Sequence, residues 1–391
     1  MNKIIYLLVF AIPLFSCKES KRSYANNSDV SEMTDIVLSN DNKMYLHEWV
    51  QDVEIIPLET SDSVLFGVIS GCMVTDEHII VFDTYQAQSV FIFGRDGKHQ
   101  MTINKYGRGP QEYLHLTHVA MLPDKKTIAI HDNHGRKILY YSLDGQFIYS
   151  DPTPFSFYNM EFVDDNNLVF SIYYSTRALP PELEKYGMRH ELLYFTDNKY
   201  EIKSSAMPMR YDMNKFGIFM PTIQKYVNKV YINRPFSDTI YLATQDGLKP
   251  IYRINMEKIG GVANFAPDIT REEVDLLKMK KSTFSGLCAD TNDFLHVCVK
   301  TPPDLMIHYV YSKRSGKVYM IEHDLERTEN FIFGPPIVPI TATKDKIVLV
   351  KYAETLFKDG VKDLVKMHPE FASFTENDNP VLVLYSYRKD L

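Results

Sequence analysis

Two clusters hold the side chains from which chemistry is usually built. His131-Asp132-Asn133-His134 brings two imidazoles, a carboxylate and an amide together, the residue types of a divalent metal site. Asp132, however, ends its apolar strand as Asp83 ends an earlier one, and Asn233 lies comparably in a later one. An Asx residue recurring at strand ends satisfies local backbone groups. We therefore read the tetrad first as turn chemistry, with His131, Asp132 and His134 as secondary metal candidates. Arg108, Glu112 and Tyr113 make the better ligand-facing group. Arg offers a fixed fork of donors, Glu an acceptor and Tyr a stacking plane with a polar tip, which suits a sugar or a peptide. The plainer reading is that Gly107, Gly109 and Pro110 shape a bend and that Arg108 and Glu112 pair locally. The chain has no Gly-x-Ser-x-Gly elbow, no His-Glu-x-x-His and no phosphate-cradling glycine loop. Cys72, Cys288 and Cys298 are odd in number behind Cys17. On a hairpin turning at Thr291-Asn292, Cys288 would face Leu295 rather than Cys298. All three are expected as small buried apolar side chains, neither metal ligands nor catalytic thiols.

These residues sit within a repeat. Ile79 to Asp83, then Ser89 to Lys98, matches Ile128 to Asp132, then Lys137 to Gln146, and again Val230 to Asn233, then Thr239 to Gly247. Each copy is an apolar strand, a short link, an alternating strand and an Asp-Gly turn, which predicts a two-residue type I′ hairpin. Another apolar strand ended by a polar turn precedes each copy. Four antiparallel strands recurring about every 40–50 residues describe propeller blades. Blades are expected near 68–103, 116–150, 157–206, 220–255, 283–322 and 337–387. Val53 to Leu58 is left to add the outer strand of the last blade and close the ring, which removes exposed edges. The expected fold is therefore all-β, a six-bladed β-propeller closed by an N-terminal strand, with short helical insertions on one face. The long excursions, 171–190, 256–282 and 352–379, share that face, where a rigid scaffold would carry its binding loops. Thr270 to Glu273 fits a capping box for one inserted helix, and Val361 to Met367 fits a second.

The composition agrees with this. Of 391 residues, 45% are hydrophobic and 24% charged, which excludes disorder and coiled coil, and 50 aromatics (Tyr 26, Phe 23, Trp 1) lean toward strands. A net charge of −7 offers no footprint for nucleic acid. At the N-terminus, Lys3 precedes an apolar run from Ile4 to Phe15, too short to span a bilayer but long enough for a signal-peptide core. Residues 1–16 are expected to be the signal peptide, 17–42 a flexible tether, and 43–391 the propeller.

Leu14-Phe15-Ser16-Cys17 resembles the lipobox of bacterial lipoproteins. That resemblance implies cleavage before Cys17, lipidation of Cys17, and anchoring in the cell envelope, with the outer membrane as the expected location. Lys105-Tyr106-Gly107-Arg108-Gly109-Pro110-Gln111-Glu112-Tyr113 and Val53 to Thr60 resemble the linker and entry strand of six-bladed β-propeller lipoproteins of Bacteroides and relatives, of the TolB-like and NHL-like kind. The resemblance implies fold and location more than activity. The leading expectation is a lipid-anchored, non-catalytic module that binds a glycan, a peptide or an envelope protein, without a cofactor. The alternative is a propeller hydrolase or lyase with a divalent cation in its funnel, for which Glu112 and Glu161 are the candidate carboxylates.

Overall fold

A computed structural model describes residues 33–153, 155–172, 183, 191–208, 222–234, 237–263, 269–303, 305–322, 338–359, 365 and 368–390. The signal peptide and Cys17 lie outside these residues, as does nearly all of the helix expected over Val361 to Met367.

The described residues form six sheets, at 71–103, 116–152, 159–208, 222–255, 282–322 and 341–387, in the arrangement of a β-propeller. Within each sheet successive strands pair antiparallel, so the four-strand repeat becomes a meander. The second and third strands are apolar on both faces because each sheet is packed between two others. Ser89–Gly94 is buried along its whole length, and so is Ile79 to Asp83 within His78–Asp83. Inner strands of neighbouring sheets approach one another around a central cavity.

Five sheets, not six, put their inner strands on that cavity: Gly71–Val74, Leu116–Met121, Asn159–Phe162, Thr222–Tyr226 and Thr341–Ala342. The expected six-bladed propeller is corrected to five blades around the cavity: strand Ser282–Asp290 of the fifth sheet contributes no lining residue. Two register shifts interrupt its pairing with Phe294–Thr301, around Gly286 (φ +144°) and around Cys288. The short strand Gly261–Val262 covers its inner edge in parallel, and the Tyr226 hydroxyl donates to the Cys288 carbonyl at 2.7 Å. Thr222–Tyr226 and Thr341–Ala342 thus meet directly in front of it.

The N-terminal segment is more structured than a tether. Thr34–Val37 pairs in parallel with Gly247–Asn255, Lys43–Tyr45 with Val318–Glu322, and Val50–Pro57 antiparallel with Val381–Tyr387. It therefore runs along the outer edges of three consecutive sheets, and the folded body begins before residue 43. Trp49 anchors it: fully buried, its indole meets Tyr319, Phe294 and Tyr387 edge-on at centroid distances of 4.5, 5.9 and 5.8 Å. Edge-to-face packing of this kind adds about 0.5–1.5 kcal/mol per pair beyond area burial.

The Asp-Gly turns differ from the two-residue loops expected. Gly97 and Gly145 have φ +79° and +82°, while Asp96 and Asp144 do not share that sign. The Gly97 amide donates to the Gly94 carbonyl, and the Gly94 amide to Lys98, at 3.0 and 2.8 Å. These are three-residue loops, a type I turn followed by a left-handed glycine in a bulge. At Gly97 a Cβ would lie 2.2 Å from the Pro57 carbonyl oxygen, so glycine also lets the N-terminal strand approach. Arg271–Lys280 is the expected helix, with Thr270 and Glu273 capping each other. Among the described residues no helix is long and apolar enough to cross a membrane.

Candidate functional site

The central cavity has a volume of about 660 Å³, within the range of small-molecule sites. Glu161, on the inner strand of the third sheet, is the buried carboxylate of its lining, 7% exposed. On one side lies His118 of the second sheet, Nε2 3.8 Å from Oε1; on the other lies Lys225 of the fourth, Nζ 3.8 Å from Oε2. Lys225 is held by the carbonyls of Met121 and Phe162, at 3.1 and 3.0 Å, so three sheets converge on the carboxylate. No hydrogen-bond partner within the protein reaches Glu161 Oε2, His118 Nε2, Asn159 Oδ1 or Gln224 Oε1. All four belong to cavity-lining residues. Buried polar atoms are nearly always paired, so three unpaired acceptor oxygens and one imidazole nitrogen beside a single cavity are unusual.

A domain of unknown function, DUF4934, matches residues 30–386. The chain belongs to this family. Its fold is similar to the crystal structure of a Bacteroides fragilis protein described, by inference, as exported, with TM-score 0.75 and 20% identity over 91% of this chain and 100% of that one. A Bacteroides vulgatus member of the DUF4221 family is similar with TM-score 0.55 and 10% identity, over 87% and 97% of the two chains. Both likenesses are of fold. No curated protein matches the chain.

In this DUF4934 protein the ligand-facing group expected from sequence lies away from the cavity. Arg108 is exposed on the linker. Glu112 Oε2 accepts from the Gly109 amide at 2.8 Å, and the linker closes on itself through Tyr113 N–H to the Lys105 carbonyl. Tyr113 is fully buried and its hydroxyl donates to the carbonyls of Gln88 and Ile103 at 2.6 and 3.1 Å. Burial pushes its phenol up to about 12. Lys137 Nζ ties the same linker to the second sheet through the Gly109 carbonyl at 2.9 Å.

The histidine tetrad is likewise dispersed. Asp132 accepts from the amides of Gly135, Leu114 and His115 at 2.8, 2.9 and 3.1 Å. Asp83 does the same for Tyr85, Gln86, Gly67 and Ala87, at 2.8–3.3 Å. The turn reading of these residues is the observed one. His131 stacks on Phe157 at 3.8 Å between ring centroids, and burial, with His118 and His115 nearby, drives its pKa down to about 3. His134 is exposed, against His115.

Sequence reasoning named Glu161 but had no means of placing it beside His118 and Lys225, which come from other blades. The cavity is also lined by the tight turns at Thr75, Pro123, Val227 and Thr343, and by no described residue of the long excursions. The cysteine expectation is corrected. Cys288 and Cys298 form a disulfide, with Cα atoms 6.4 Å apart. The register shift around Cys288 turns it toward Cys298 instead of Leu295. Only Cys72 remains a free buried thiol among the described residues, with burial pushing its pKa up to about 12.

Proposed function

We propose that this is an exported propeller whose central cavity binds a small, donor-rich ligand without transforming it. The observation that carries the reading is the buried Glu161 carboxylate with its unpaired Oε2, accompanied by the open oxygens of Asn159 and Gln224. Desolvated acceptors with no partner cost about 1–3 kcal/mol each, which a ligand carrying several hydroxyl or amide donors would offset on binding. Sugars and short peptides have that chemistry. Export is supported by the fold shared with the Bacteroides fragilis protein and by the signal-like N-terminus. In this reading Cys17 carries the lipid anchor, Val50–Pro57 closes the ring at the sixth sheet, and Arg108 is the linker side chain left to meet an envelope partner.

A second reading, a hydrolase or lyase with a divalent cation on Glu161, draws on the same oxygen donors. Lys225 speaks against it, since its ammonium already sits 3.8 Å from the carboxylate.

The test is a glycan and peptide array probed with the chain from Lys18 onward, beside Glu161→Gln. Binders that lose at least about tenfold in affinity in the variant support the reading. Binders indifferent to the variant, or turnover of an array member that depends on added divalent cation, would overturn it.

A further inference from the structure

The disulfide of the fifth sheet lies in unusual company. Cys288, His296, Cys298 and His308 come from three adjacent strands, Ser282–Asp290, Phe294–Thr301 and Leu305–Ser312. Cys298 is directly opposite His308 in register, and His296 lies two residues from Cys298, so the three share one face of the sheet. The register shift brings Cys288 onto it. His308 Nδ1 is 3.2 Å from Cys298 Sγ and 3.1 Å from His296 Nε2. The donor atoms of Cys288, Cys298 and His308 all lie within 4.8 Å of one another. Every member is buried: 6% exposed at Cys288, 1% at His296, 2% at Cys298 and 3% at His308.

A disulfide needs no imidazole beside it, and two histidines buried against it are costly as mere packing. His296 Nδ1 has no partner within the protein. Two sulfurs and an imidazole are, in contrast, three of the four donors that a thiophilic cation takes, with zinc–ligand bonds of about 2.0–2.3 Å. His308 Nδ1 and Cys298 Sγ stand about one edge of such a tetrahedron apart, while His296 lies outside this group and meets the His308 ring.

We propose that the Cys288–Cys298 pair, once reduced, is a soft-metal site that holds Zn²⁺ through both thiolates and the imidazole of His308, with His296 beside that imidazole. The disulfide form is metal-free and the dithiol form metal-binding. A dithiol reductant supplies the change: two electrons cleave the S–S bond, two protons complete the thiols, and the reductant leaves as its cyclic disulfide. Zinc then binds as those two protons are released to solvent. In an exported protein the oxidised form is the resting one, and the site reports a fall in the redox poise of its surroundings.

The test uses the chain from Lys18 onward in a Cys72→Ser background, so that every thiol belongs to the pair. The protein is reduced with dithiothreitol, freed of it anaerobically, and titrated with Zn²⁺ alone. The expected result is one zinc per chain in the reduced form and none in the oxidised form. Co²⁺ should give a thiolate charge-transfer band. His308→Ala should weaken zinc binding by at least about tenfold. Should that variant not fold, His308→Gln carries the same expectation. Free thiols in a folded chain that takes up no zinc overturn the proposal. So do equal uptake by the disulfide form, histidine variants that bind as tightly as the parent, and loss of the fold on reduction.

Discussion

Asp132 and Glu161 are buried carboxylates on neighbouring sheets, and what surrounds them differs in kind. Asp132 receives three backbone amides at 2.8–3.1 Å and has nothing left to offer. Glu161 receives none; the Lys225 ammonium and the His118 ring each stand 3.8 Å away, and one oxygen has no hydrogen-bond partner. The first carboxylate is consumed by the fold, since it ties a tight turn and the incoming linker to one strand end. The second is held in place by the fold while its acceptor capacity stays in reserve. Burial alone therefore does not separate a structural acid from a functional one. The number of hydrogen bonds already made does.

If that distinction is right, the largest loss of stability belongs to Asp132→Ala. It strands three amides in a buried turn, at about 1–3 kcal/mol for each that water cannot reach, so a loss of about 3 kcal/mol in urea unfolding is expected. A loss under about 0.5 kcal/mol would place Asp132 outside the fold's supports and break the contrast. Lys225→Met comes next. It removes two charge-assisted bonds to the Met121 and Phe162 carbonyls and leaves Glu161 with less compensation, for about 2 kcal/mol. Combining it with Glu161→Gln should recover part of that cost, and strict additivity in a double-mutant cycle would show the two side chains uncoupled.

The parts of this contrast legible in the sequence were the ones made locally. Asp83 and Asp132 recur at the same place in a repeat, and their partners lie mostly within a few residues or at the entry of the same sheet, so the motif carries its own explanation. The Thr270–Glu273 capping box was legible for the same reason. The parallel pairing of Thr34–Val37 was not, because a short polar edge strand is defined by the strand beside it, here residues 252–255. The Cys288–Cys298 bridge was hidden by register shifts that no alternation pattern records. The convergence of His118, Glu161 and Lys225 depends on three blades meeting, which is a property of the closed arrangement and of no single segment.

His131 sharpens the comparison from the side of charge. Its pKa is about 3 in the folded chain, chiefly through burial, against about 6.5 when unfolded. The unfolded chain thus takes up a proton that the folded one refuses. Stability falls as pH drops below about 6.5, by about 1.4 kcal/mol per unit, and the effect levels off near pH 3. His131→Phe keeps the stack on Phe157 and should recover about 2 kcal/mol at pH 5 relative to pH 8, measured by urea unfolding at both. His296, held well below its usual value by burial and by His308, contributes with the same sign, so the slope flattens without vanishing. An unchanged slope would mean that His131 stays solvated as it titrates.

Glu161→Gln has the smallest expected effect on stability and therefore tests the contrast most directly. The amide keeps the shape, gives up no backbone hydrogen bond and removes a buried charge that Lys225 only partly offsets. The midpoint of unfolding should move by less than about 1 kcal/mol, in either direction. Ligand capture by the cavity should nevertheless fall, because the Oε2 acceptor becomes, in one of the two amide orientations, a donor facing the ligand's own donors. A variant that unfolds as readily as Asp132→Ala would make Glu161 a second structural acid and leave the cavity without its principal acceptor. A variant of unchanged stability and lost binding would assign the carboxylate to the ligand.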